Sequence, residues 1–151
     1  MTRRSIFVIL TIIGCLCSLS LVLVSQLRGK LIINMNNRLH FVPKGWGFEK
    51  WIVNNEKYCG KILYFVKGRS CSWHYHKIKD ETFYIQSGKI LLHFGYLHNF
   101  GKANQTILSK GDHFHIPVKL VHKMTALEDT ELFEFSTQHF DEDSYRLEKG
   151  D

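Results

Sequence analysis

His74 and His76 stand two residues apart in the run SCSWHYH, and Glu81 follows after the short charged turn KIKD. On an extended strand, residues i and i+2 project from one face, so both imidazoles point the same way. Such a pair can grip a metal ion, and a carboxylate brought beside it gives a mixed nitrogen and oxygen donor set suited to divalent transition metals. His122, in a later strand-like stretch beyond Pro117, can complete the set when the sheet closes on itself. The expected ligands of one divalent ion are therefore His74, His76, Glu81 and His122.

Other candidates stand behind these. His113 and His115 share a strand face, and His115 is the one expected to reach the same pocket. His93, among Leu91, Leu92 and Phe94, could orient a ligand from behind. Lys61, Lys79, Tyr96 and Arg146 are types that contact phosphates or sugars, but near a barrel mouth their ordinary role is a solvated surface.

The elements that must position these groups are strands. From Gly60 onward the chain breaks into short β-branched, aromatic and alternating stretches, namely KILYFV, SCSWHYH, TFYIQ, KILLHFGY, QTIL, HFHIP, HKMTAL and ELFEFST. Turn formers such as Lys67-Gly68, Ser87-Gly88 and Gly111-Asp112 separate them. No window sustains an apolar period of 3.6, and strands recurring every 8 to 12 residues point to an all-β jelly-roll barrel. Residues 36–58 mix aromatics with turn formers, as expected of an edge strand or arm on that barrel, able to pair two copies into a homodimer. The tail from His139 to Asp151, with its Asp141-Glu142-Asp143 run, has the composition of a solvated face.

The net charge of +6 narrows the partners once it is divided along the chain. Arg3, Arg4, Arg28 and Lys30 lie in residues 1–34, which hold no acid. The remaining sixteen Lys and Arg face all fourteen Asp and Glu, so the folded part lacks the basic surface that nucleic acid requires. Cys59 and Cys71 stand alone without a C-x-x-C pair, which argues for buried thiols in a reducing compartment.

Between Arg4 and Arg28 runs an uncharged apolar stretch long enough to cross a ~30 Å hydrocarbon layer as a helix. Residues 1–34 are thus expected to form a hydrophobic helix, a single-pass anchor holding a cytoplasmic domain at 35–151. A cleaved signal peptide competes with that reading, although this run exceeds its usual apolar core of roughly 7 to 15 residues. If translation begins at Met35, the protein is instead cytoplasmic and soluble.

The spacing Gly68-x5-His74-x-His76-x4-Glu81-x6-Gly88 resembles, position for position, the first motif of the cupins, and Gly111-x5-Pro117 followed by His122 resembles the second. Lys119 stands where that family usually has glycine, and Ala126 where it often has asparagine. The resemblance spans residues 60–137 and implies one divalent ion, Mn, Zn, Fe, Co or Ni, in a single cupin barrel.

Outside the motifs, Lys44-Gly45-Trp46-Gly47-Phe48-Glu49 and the stretch from Glu134 to Arg146 resemble the segments that flank the cupin domain of type II mannose-6-phosphate isomerases. That family tends to have glutamine at His74 and often arginine at Lys79. The resemblance implies a small-molecule substrate, a sugar or sugar phosphate, isomerised at the metal with Glu81 or His115 moving the proton. An Fe(II) dioxygenase and a non-catalytic sugar-binding cupin use the same ligand types and stand as alternatives.

Overall fold

The computed structural model describes residues 39–96 and 103–151. Eleven strands lie among them: β1 (His40–Lys44), β2 (Gly47–Asn54), β3 (Cys59–Phe65), β4 (Trp73–Tyr75), β5 (Glu81–Ser87), β6 (Lys89–Gly95), β7 (Asn104–Ser109), β8 (His113–Ile116), β9 (Val121–Ala126), β10 (Thr130–Ser136) and β11 (Tyr145–Glu148). They form two antiparallel sheets, one ordered β1-β2-β3-β10-β5-β8 and the other β11-β4-β9-β6-β7. The all-β, jelly-roll expectation holds. The hydrophobic helix expected over residues 1–34 lies outside the described residues. Among the described residues no helix is long and apolar enough to cross a membrane.

Period-2 alternation explains the layers. On β5, Glu81, Phe83 and Ile85 turn inward, while Tyr84 and Gln86 face out. On β10 the inward set is Thr130, Leu132 and Glu134. Phe65, Phe83, Ile85, Ile90, Leu92 and Leu132 form the centre of the core, each at most 2% exposed. At roughly 1.5–3 kcal/mol for each fully buried large apolar side chain, this layer is the main attraction between the sheets.

Both sheets recruit strands from beyond residues 60–137. Residues 36–58, read as one edge strand or arm, provide a hairpin: β1 pairs with β2, and β2 with β3. That puts β1 at one end of the larger sheet, with β8 at the other. The tail, read as a solvated face, folds back as a 3-10 turn at Asp141–Asp143 and then as β11, which pairs with β4.

Two turns show why particular residues matter. Gly88, at φ +81°, joins β5 to β6 where a Cβ would meet the Asp129 carbonyl oxygen at 2.2 Å, so only glycine fits. Lys119 adopts φ +69° without that freedom, and it is the non-glycine residue with positive φ among those described. The left-handed conformation costs a side chain about 1–2 kcal/mol. The Lys119 amide donates to the His76 carbonyl at 2.7 Å, which ties this strained turn to the metal-type cluster.

Candidate metal centre

His74 on β4 and His122 on β9 are direct register partners, so their side chains leave the same face of the smaller sheet. His76 follows β4 by one residue, and Glu81 opens β5 in the opposite sheet. Ring centroids are 4.4 Å apart for His74 and His122 and 5.0 Å apart for His74 and His76. One nitrogen from each of the three histidines lies within 4.8 Å of the others, a grouping that could hold a metal ion.

The tautomers follow from the neighbours. Nδ1 of His74 lies 2.9 Å from the Ser72 carbonyl, that of His76 2.7 Å from the Asp143 carbonyl, and that of His122 3.2 Å from the Leu120 carbonyl. A carbonyl oxygen only accepts, so each Nδ1 carries a proton and donates, and Nε2 is the atom turned toward the centre. Glu81 Oε1 sits 3.5 Å from His76 Nε2 and 3.2 Å from His122 Nε2. His76 Nε2 and Glu81 Oε1 are both buried without a hydrogen-bond partner. The unpartnered Nε2 of His76 and Oε1 of Glu81 converge in a buried place and fit a cation between them, and three imidazoles with one carboxylate suit a borderline divalent ion.

Protonation is already set for that role. Burial, followed by the neighbouring His122 and His76, holds His74 well below the usual imidazole value. Burial and then the Lys79 ammonium push His76 down to about 4. Burial alone would raise Glu81, but Lys79 first and His122 next outweigh it and hold the carboxyl well below its ordinary range. The metal-free protein is expected to lose stability as pH falls from about 6.5 toward about 4. Over that window the unfolded imidazole, at 6.5, takes up a proton that folded His76 refuses until about 4. Urea midpoints across the range check this, and a flat profile would contradict buried neutral imidazoles.

Asp143 is the residue that the acidic composition of the tail concealed. Its carboxylate accepts from the amides of Lys77, Ile78 and Lys79 at 2.9–3.3 Å, while its own carbonyl holds His76. Only 3% of it is exposed, whereas Asp141 lies at the surface and pairs with His139.

A row of alternating charge runs from the centre across the inner face of the larger sheet. Lys79 Nζ lies 2.5 Å from Glu81 Oε2 and 3.1 Å from Glu134 Oε1. Lys61 follows at 3.8 Å from Glu134 and 3.6 Å from Glu49, which then meets Lys44 at 3.2 Å. Lys61 and Lys79, expected at a solvated mouth, are buried at 1% and 4% exposure. A sequence signal was available, because Lys61 shares the inward parity of Leu63 and Phe65, and Glu134 that of Leu132.

These groups line a cavity of about 520 Å³, together with Trp46, which stacks on Phe65, and with Arg146. Cys71 also lines it, but burial lifts its thiol to about 11 and Sγ accepts the Met124 amide, so it is not a nucleophile at neutral pH.

His115 requires a correction. Its register partner is Thr82, an outward position on β5, while inward Glu81 pairs with Ile116. The side chain is 56% exposed and binds Asp80 at 2.9 Å, outside the residues that line the cavity. His113 has the same outward parity. His93 pairs with Lys123 on the side of the sheet away from buried Leu92, so it orients no ligand.

The family model described as Cupin domain matches residues 62–137, half of the chain. The chain belongs to the cupin family. Among solved structures, this cupin is similar to the capsular polysaccharide assembling protein CapF from Staphylococcus aureus, at 22% identity and TM-score 0.67 over 76% of this chain and 34% of that one. A CapF structure with the inhibitor 3-isopropenyl-tropolone superposes at 23% identity and TM-score 0.65 over 74% of this chain and 34% of that one. An oxalate decarboxylase variant from Bacillus subtilis matches at 19% identity and TM-score 0.64 over 72% of this chain and 30% of that one. The cupin thus spans about a third of the length of these structures. No curated protein matches it.

Proposed function

We propose that this cupin holds one divalent metal ion on His74, His76, His122 and Glu81, and that it isomerises a small open-chain sugar or sugar phosphate bound through adjacent oxygens. The observation that carries the metal reading is the meeting of Nδ1-protonated imidazoles with the unpartnered atoms His76 Nε2 and Glu81 Oε1. Similar structures support this reading: one is an oxalate decarboxylase with Mn(II) centres, and another a CapF bound to a tropolone inhibitor. Oxalate and tropolone both carry two adjacent oxygens.

A bound divalent ion would polarise a neighbouring carbonyl and hydroxyl and so acidify the C–H bond between them. A base must then take the proton from C2 and return it to C1, while the hydroxyl proton passes from O2 to O1. His115 lies outside the cavity, and Lys79 occupies the Glu81 oxygen that the metal would leave free. The carboxylate that fits is Glu134, whose contacts with Lys79, Lys61 and Ser136 all fall on Oε1. Its Oε2 is left to take the proton.

Elemental analysis of the full-length protein purified without chelator, beside His76→Ala, tests this. Near-stoichiometric metal in the wild type and its loss in the variant is the expected result, with exchange of deuterium from C2 of the substrate as the companion measurement. Metal in neither protein would overturn the reading. Bound iron with oxygen uptake would replace isomerisation by dioxygenase chemistry, and ligand binding without turnover would make the protein a binding cupin.

A further inference from the structure

The charged groups around the cavity are almost all committed to one another. Lys44, Lys61 and Lys79 each sit against a carboxylate, Asp141 takes His139, and Asp151 takes Arg69 and the Ser70 amide. Arg146 is different: it lines the same cavity, and its guanidinium has no ion pair or hydrogen bond among the described residues.

Arg146 is exposed, but its register ties it to the centre. In the β11 to β4 ladder Arg146 is the direct partner of His74, and antiparallel partners project from the same face, so the guanidinium and the imidazole leave the sheet side by side. The strand that carries it is fixed on both sides. Asp143 clamps the preceding turn to residues 77–79, and Asp151 anchors the following residues to Ser70. Tyr145 turns the other way and stacks on Tyr75, which fixes the parity of β11.

We propose that Arg146 forms an anion subsite beside the metal centre, taking the carboxylate or phosphate of a small molecule. A planar guanidinium offers two parallel N–H donors to an oxyanion, a geometry that a lysine cannot reproduce. Lys149, which also lines the cavity, adds positive potential at the same mouth. The subsite stands on the register and on the charge pairing alone. It rests on the metal reading only in placing the anion and the chelating oxygens on one molecule.

Two titrations of the full-length protein test it. Inorganic phosphate is titrated into metal-free wild type, Arg146→Gln and Arg146→Lys, with thermal melting as a check that the fold is intact. Wild type should bind phosphate at least about tenfold more tightly than the glutamine variant, with lysine between them. Dihydroxyacetone and its phosphate are then titrated into manganese-loaded protein. Wild type should prefer the phosphate ester by about tenfold, and Arg146→Gln should lose that preference while keeping its affinity for the neutral triose. Equal phosphate affinity in wild type and Arg146→Gln would overturn the proposal. Phosphate binding that depends on Arg146, with no binding of the neutral triose to loaded protein, would sustain the subsite and count against the metal-chelate reading instead.

Discussion

Asp143→Ala is expected to weaken divalent metal binding by about 10- to 100-fold and to lower stability by about 3 kcal/mol, although Asp143 is not a ligand. Its buried carboxylate gathers the amides of residues 77–79, three donors that would otherwise face inward unpaired. With that clamp gone, the backbone at 143 is free to move, and its carbonyl no longer holds the Nδ1 proton of His76. His76 Nε2 then loses its aim. Asp143→Asn retains an acceptor oxygen without the charge and should fall between alanine and wild type.

Competition with a fluorescent chelator measures the affinity, and urea denaturation the stability. Wild-type metal affinity in the alanine variant would remove the tail from any part in the site. The pH dependence has a definite sign. Burial alone would raise the Asp143 carboxyl, but the amides of Lys79, Lys77 and Ile78 hold it below 3.8. Its contribution is therefore complete above the unfolded value near 3.8 and disappears as pH falls through the lower folded value.

Lys61→Met should also damage the fold, by about 3 kcal/mol, because Glu49 and Glu134 each lose one of two buried counter-charges and keep only Lys44 and Lys79. Lys61 is 1% exposed, stands between Glu49 and Glu134, and lies 4.3 Å over the ring of Trp51. Methionine preserves most of the volume, so the loss reads the charge rather than a cavity. The double variant Lys61→Met with Glu134→Leu removes one charge of each sign and should recover part of the loss. Denaturant midpoints give both values. A single-variant cost below about 1 kcal/mol would mean that water reaches Glu49 and Glu134 and that the row is not truly buried.

The two variants probe features that differ in how far the chain alone discloses them. His74 and His76 were legible because strand parity is local: two positions apart means one face, wherever the strand goes. Glu81 and His122 followed from motif spacing, and the structure brings both to the same cluster. The strands from Gly60 to Ser136 were legible for a similar reason, since alternation and glycine turns act within a few residues. His115 failed because parity states which residues share a face, not which face turns inward. Pairing of β8 with β5 decided that, by setting Ile116 rather than His115 opposite Glu81.

The sequence by itself determined the all-β class and the residue types of the centre. Only the tertiary structure decided that the acidic tail returns to clamp residues 77–79, that two lysines lie inside, and that Arg146 stands beside His74. The reason is physical. A charge can be buried only when its counter-charge is supplied, and here the partners come from β2, β3, β5 and β10, brought side by side by sheet order rather than by chain order.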